Sequence, residues 1–596
     1  MKQGAVSLGL ALTLGLGVSA ANAVDYVDQP QLSDAVNPQV KSCRTHDTLP
    51  VPMRVSGGDI VALYANGEAL ETQPNSIMER QGVDVRLYKE TDFRQQLRDF
   101  MDCTAPIMRA TQGQLNMAAE LTEQQDQTSM VALYQSGWSN GSAALVAKPG
   151  ISKPADLNGK TIAIQAFGPH MSYLARVLKD AESTVKDDGG TWREPNIVWT
   201  ESLSGLSGST PGGALLSDSD VDAAFVIKAD ALVLTSGGNV GTGAEGSVQG
   251  AEILMTTRDA NRVISNVYVT RKDYYEANKE QLRKFVTALY EADEQAREDI
   301  KKLVLDFSVP AKYLLEDEGA TEDAKQLWRE TETVGWKGNN TWMTKDKHPK
   351  SWLNINNTVQ SQLLDLGLMS GTHSLATADW DYDKFADVLF DTRRGESQLP
   401  SFDNQAASKA VSDSAAKGNL EKDTLFEFEI YFKPNQKDFP LAQYEQQFEK
   451  VIELASTYGG AVLTVEGHSD PMGYLNKKYK QNFSAAELRR VKQSAKNLSV
   501  SRAIQVRDAI MELGDQNSVT MDESQFVTTG MGITEPATGI KGKDSCVVDV
   551  QKIQGIQTGD PCPPMTKEQW QDNRRVKFRM VQLEAESEAF TPSNTW

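Results

Sequence analysis

The sequence predicts a large α/β body followed by a smaller α+β sandwich domain, and three observations carry that reading. From Pro52 to about Glu294, short apolar strand patterns alternate with amphipathic helical ones, which is the signature of layered α/β structure. Residues 396–423 are rich in Ser, Ala, Gln, Lys and Asp with almost no large apolar side chain, the composition of a flexible linker. Beyond it, Phe426, Phe428, Ile430 and Phe432 recur at period two, and Tyr444, Phe448, Val451, Ile452 and Ala455 then form a helical stripe. A chain of 596 residues also exceeds what one core supports, since single cores stop growing near ~250–300 residues.

At the N-terminus, Met1-Lys2, an apolar run over 4–20 and Ala21-Asn22-Ala23 make residues 1–23 a secretory signal peptide, with the mature chain starting near Val24. A membrane anchor is disfavoured because no later stretch approaches the ~18 apolar residues a span needs. Residues 24–49 read as an irregular leader. Met53-Arg-Val-Ser56 reads as a short strand, Gly57-Gly58 as a turn, and Asp59 as the N-cap of a helix carrying Ile60, Leu63 and Tyr64. A strand over 83–87 and a helix with Phe93, Leu97 and Phe100 follow, and this β-α-β-α order predicts a mostly parallel sheet. Further strands are expected at 142–147, 161–165, 197–200, 221–227 and 263–270, with helices after 170 and over 281–294. Residues 296–395 hold Trp328, Trp336, Trp342, Trp352 and Trp380, expected to pack onto the body, with a carbohydrate platform as the alternative.

Three stretches, Ala155-Asp-Leu-Asn-Gly-Lys-Thr-Ile-Ala-Ile164, Val221-Asp-Ala-Ala224 and a Lys-Phe-x-x-Ala-Leu-x-x-Ala run from Lys284, carry a resemblance. By them, residues 50–395 resemble the type II periplasmic solute-binding proteins, in the branch of nitrate, sulfonate and thiamine-precursor binding proteins. The resemblance implies a two-lobed solute-binding domain, lobe I at 50–146 and 268–395 and lobe II at 147–267, with a cleft between them. Ligands of open α/β sheets sit where strand C-termini enter helices. That rule selects Ser56, Gly57 and Gly58 with Asp59, then Thr111 and Gln112, then Trp138 and Asn140. In lobe II it selects Phe167, Gly168 and His170, then Phe225 and Lys228. The helix starting at 170 turns its positive dipole end to the cleft, which suits an anionic or carboxylate-bearing solute. Alternatively Gly168-Pro169 is only a tight connection, His170 is structural and Lys228 faces water.

The C-terminal part holds four ordered motifs: Gly467-His-Ser-Asp470 with Gly473, Leu498-Ser499 with Arg502-Ala503, Gly530-x-Gly532 with Pro536, and Asn573-Arg574-Arg575. By these, residues 424–585 resemble the OmpA-like peptidoglycan-binding domain, leaving an acidic tail at 586–596. In that family the Asp and Arg at these positions clasp the diaminopimelate side chain of the wall stem peptide, so the resemblance assigns this role to Asp470 and Arg502, with Ser469 and Gly473 beside them. A carboxylate for an ammonium and a guanidinium for a carboxylate are the two groups such a zwitterion requires. Taken singly, Asp470 reads as a turn cap and Arg502 as a surface ion pair. The chain departs from the family in a long basic insertion over 476–496, and Ala495 stands where the family has Asn.

The net charge of -20 argues against a nucleic-acid partner. The cysteines, Cys43, Cys103, Cys546 and Cys562, pair locally as Cys43 with Cys103 and Cys546 with Cys562 in an oxidising compartment. Metal binding is the poorer alternative, since no Cys-x-x-Cys exists and the histidines are scattered. No nucleophile elbow and no His with a paired acid appear, so neither enzymatic activity nor a cofactor is expected. The expectation is a periplasmic, cell-wall-associated protein with peptidoglycan, a small polar solute and an inner-membrane transporter as partners. An envelope scaffold with a non-binding cleft is the alternative.

Overall fold

The computed structural model describes residues 24–582 apart from 25, 29–31, 188, 207, 239, 261, 390–403, 418–423, 459–460, 520, 522 and 547–552. The segment read as a signal peptide and the acidic tail lie outside the described residues. Within the segment read as a linker, Asn404–Lys417 is helical.

The body contains two five-stranded sheets. In the first, β3 (Ile107–Thr111), β10 (Ser265–Arg271), β4 (Met130–Ser139) and β11 (Thr331–Glu332) lie side by side, and β12 (Ala376–Thr377) also pairs with β4. A two-stranded sheet of β1 (Leu49–Met53) and β2 (Val85–Lys89) accompanies it. The second sheet has the order β7 (Asn196–Thr200), β6 (Thr161–Gln165), β8 (Ala223–Ile227), β5 (Ala143–Ala147), β9 (Glu252–Thr256).

Three expectations are corrected. β1 occupies 49–53 rather than 53–56. Pro50 and Pro52 share a parity, while Leu49, of the opposite parity, donates its N–H to Asp84 O at 2.8 Å, so the missing proline donors point away from β2. The sheets are mixed rather than mostly parallel, because β10 runs antiparallel to β3 and β4, and β5 to β8 and β9. Strands that carry the chain between lobes run against their neighbours. For the same reason β5 belongs to the second sheet, and the first crossing lies at 140–142 rather than after 146.

Both crossings are tied by hydroxyl groups. Thr257 Oγ1 lies 2.8 Å from Ser139 Oγ and accepts the N–H of Gly141 at 3.0 Å, and Ser139 Oγ is 2.6 Å from Ser142 Oγ. The leader adds a strap. Val27 donates to Trp199 O at 3.0 Å on lobe II, and Cys43 is bonded to Cys103 on lobe I.

Helix α1 (Gly57–Ala65) is capped by Ser56, whose Oγ accepts from Gly58 N, so Asp59 stands in the first turn and not at the cap. Helices α2 (Phe93–Met101), α3 (Gln112–Thr122), α4 (Met171–Asp187), α5 (Lys272–Lys301) and α6 (Trp352–Asp365) complete the parts of the body used below.

The C-terminal sheet has the order β13 (Thr424–Tyr431), β16 (Arg575–Gln582), β14 (Ala461–His468), β15 (Phe526–Gly532), with β14 and β15 parallel. It is covered by α7 (Glu445–Thr457) and α9 (Ala485–Gln516), and α8 (Met472–Tyr479) precedes α9. A Cβ at Gly467 would lie 1.9 Å from Ser499 O and one at Gly530 2.4 Å from Val500 Cγ2, so these glycines let α9 lie directly on the strands. A capping box between Ser484 and Glu487 starts α9 well before Arg502, which is therefore mid-helix and not at a helix start.

The two parts of the chain meet at α4 and α7. Arg176 Nε is 2.7 Å from Asp180 and its Nη1 2.5 Å from Glu453, and Tyr458 donates to Asp180 at 2.6 Å. Burial opposes ionisation of Glu453, but Arg176 and the neighbouring lysines outweigh it and bring its carboxyl down to about 2. A carboxylate depressed in the fold adds stability that is complete above its unfolded value near 4.5 and is lost as pH falls toward 2. Glu453→Gln should therefore cost about 2–3 kcal/mol at pH 7 and about half of that at pH 3, read by urea denaturation at the two pH values.

Candidate functional site

Between the lobes, the ends of β1, β3, β4 and β6 converge. Asp59 and Arg109 form a fully buried ion pair at 3.2 Å, and Arg109 also donates to Asn266 at 3.1 Å. Above this pair sits Arg54, half-buried, at the C-terminal end of β1. Its Nη1 donates to Gln114 Oε1 at 2.5 Å. Burial, then the like charge of Arg109, lowers the Arg54 guanidinium to about 10. Gln114, in the capping box of Thr111, donates its Nε2 to Phe167 O at 2.9 Å and so bonds lobe I to lobe II. Phe167 holds φ at 55°, a conformation a bulky residue adopts only under surrounding constraint.

The sequence-selected residues divide into two groups. Ser56, Phe167, Gly168 and His170 stand on strand-to-helix loops at the junction and Thr111 ends β3, all but Ser56 being buried, and Lys228 reaches within 3.9 Å of Glu330 across it. The others are taken up by the fold. Gly57 N–H donates to Thr331 Oγ1 at 3.1 Å, and Gly58 packs on Ser136 and Arg109. Gln112 bonds Asn356 of α6 at 2.7 Å, Trp138 is buried on β4, and Asn140 N–H donates to Glu330 O at 2.8 Å at the crossing. Phe225 stacks edge-on against Tyr173 at 5.1 Å inside lobe II and is core, not cleft. Arg54 and Gln114 were missed: Arg54 read as a strand residue because the strand was placed four residues late, and Gln114 reads as ordinary helix until its cap is seen.

In the C-terminal domain, Asp470 follows the end of β14. Its Oδ1 accepts Met472 N–H at 2.7 Å, and its Oδ2, buried without a hydrogen bond, lies 3.6 Å from Arg574 Nη1. Burial pushes the Asp470 carboxyl up, against Met472 N–H, Arg574 and Arg502. Arg502 is 1% exposed and donates to Gln436 O at 2.9 Å, His468 O at 3.0 Å and Lys433 O at 3.4 Å, with its guanidinium 5.0 Å from the Phe432 ring centre. The expected open arm is thus a sealed one, and the guanidinium paired with Asp470 is that of Arg574. Ser469 is also internal, bonded to Ala495 O at 2.9 Å and Gly532 O at 2.7 Å, whereas Gly473 is exposed with open space around it. Both disulfides form as expected, Cys43–Cys103 and Cys546–Cys562.

No family model and no curated protein matches the chain. Among solved structures it is similar to the periplasmic aliphatic sulphonate binding protein of Escherichia coli, at 15% identity over 55% of this chain and 95% of that one, with a TM-score of 0.36. The alkanesulfonate-binding protein of Xanthomonas axonopodis pv. citri bound to MOPS gives 13%, 56%, 99% and 0.35 in the same order. The ligand-binding component of an ABC-type import system from Staphylococcus aureus gives 11%, 54%, 93% and 0.36.

His170, 4% exposed beside this junction, is held down to about 4 by burial, against its bond to the Phe225 backbone. A histidine depressed in the fold is fully compatible with folding above its unfolded value near 6.5 and opposes folding increasingly as pH falls to 4. Wild type should therefore lose up to about 3 kcal/mol between pH 7 and 4 from this group, and His170→Gln should flatten that part of the stability profile.

Proposed function

We propose that this chain is an exported periplasmic solute-binding protein that takes a small anionic solute between its lobes, passes it to an inner-membrane transporter, and is held on diaminopimelate-type peptidoglycan by its C-terminal domain. Arg54 carries the first half of this reading. Its acidic neighbour Asp59 is already paired with Arg109, so the junction keeps surplus positive charge in a half-buried setting, where an anion gains most from a guanidinium. The converging N-termini of α1, α3 and α4 add to that field. Two disulfides suit an oxidising compartment.

For the wall, Asp470 offers a carboxylate to an ammonium, and Arg574 beside it offers a guanidinium to a carboxylate, with Arg502 behind them. In this reading Arg502 chiefly shapes the site by fixing His468 and the 433–436 loop, and Arg574 is the guanidinium that meets the diamino acid.

A second reading, an envelope scaffold with a non-binding cleft, draws on the direct bond of Gln114 to Phe167 and on Gly113, where a Cβ would lie 2.6 Å from Ser172 N. Thermal shift of the intact chain across a panel of sulfonates, carboxylates and oxyanions separates the two. A solute at about 100 times its Kd should add about 2.7 kcal/mol, lost in Arg54→Ala. No shift across the panel favours the scaffold. For the wall, co-sedimentation with purified sacculi should be lost in Asp470→Ala and weakened about tenfold or more in Arg574→Ala, and retention by both variants would remove the anchoring claim.

A further inference from the structure

The basic insertion is not a loop over the wall site but a folded platform beside it. Between Asn476 and Lys496 the chain carries seven Lys or Arg and one acid, in a protein of net charge -20. The segment forms α8 and the first turns of α9, and the one acid, Glu487, is occupied in the capping box with Ser484. The platform is bolted down. Tyr474 and Leu475 pack with Ile533, Ile553 and Ile556 in a small core of their own, and Lys478 reaches both oxygens of Asp560 at 2.7 and 2.8 Å.

What remains is a cationic face with little to offset it: the Lys492 ammonium lies 4.8 Å from the Tyr474 ring centre, and Arg490 stands near the Glu487 carboxylate. Arg489, Arg490, Lys492 and Lys496 are exposed, and none has an ion-pair partner within 4.0 Å among the described residues. The i, i+3, i+7 spacing of Arg489, Lys492 and Lys496 sets them in one stripe running about 10 Å along the helix. The stripe ends at the wall site: Ala495 O accepts Ser469 Oγ, and Lys496 Cα would lie 3.2 Å from a Cβ on Gly532. Asp470 is the next residue after Ser469. A rigid row of like charges on one helix costs stability through self-repulsion, and a polyanion lying along it relieves that cost.

We propose that this face is a second docking surface for the wall polymer, taking free carboxylates of stem peptides that neighbour the one held at Asp470. The inference rests on the wall-binding reading. It makes wall attachment bipartite, with a salt-insensitive clasp at Asp470 and Arg574 and a salt-screened rail along α9.

The test uses the intact mature chain and purified diaminopimelate-type sacculi in about 50 mM and about 500 mM NaCl, conditions that bracket a Debye length of about 14 and 4 Å. Wild-type affinity should fall about tenfold between the two. The variant R489Q/R490Q/K492Q/K496Q should bind about tenfold more weakly than wild type at low salt and equally at high salt, whereas the charge-keeping variant R489K/R490K should match wild type at both. A four-fold variant with the full wild-type salt dependence would overturn the rail while leaving the clasp intact. Full binding by Asp470→Ala at high salt would overturn the wall reading, and the rail with it. Vesicles of anionic phospholipid are the other arm: vesicle binding lost in the four-fold variant with sacculus binding unchanged would make the face a membrane contact and overturn the proposal.

Discussion

A guanidinium taken out of water needs partners for its charge, and buried arginines with such partners sit at the junctions of the molecule. Arg109 is paired with Asp59 beneath Arg54, Arg176 holds Asp180 and Glu453 where the body meets the C-terminal domain, and Arg502 donates to three backbone carbonyls behind Asp470. Removing any one partner leaves a buried charge unmatched, so the elements these arginines join are fixed together more firmly than their apolar contact alone requires.

The placement has consequences for motion. α4 begins at the cleft, next to Phe167 and His170, and its later turns carry Arg176 and Asp180 to the joint with α7. A displacement of lobe II relative to lobe I would thus be passed along one helix to the C-terminal domain. The leader strap and the hydroxyl-tied crossings limit how far such a displacement runs.

Much of this was legible in the sequence. Period-two and period-3.6 patterns located most strands and helices of the body, and local pairing located both disulfides. What escaped is instructive. β1 was misplaced because two prolines argue against a strand unless their parity is checked against the partner. Sheet direction was misjudged because alternation along the chain does not reveal where it crosses between lobes. Arg502 looked like a free arm because a motif gives order along the chain but not the carbonyls of residues 433 and 436 that fold over it. The pairing of Arg574 with Asp470 and of Arg54 with Gln114 joins residues far apart in sequence, and no local signal marks it.

The claim that buried guanidinium groups hold these parts as one body is tested most directly by hydrogen exchange of the intact chain and of Arg176→Met. The account predicts that amides of α4 and α7 lose protection together in the variant while the four sheets keep theirs. Unchanged protection in both helices would contradict it, as would a loss confined to one of them.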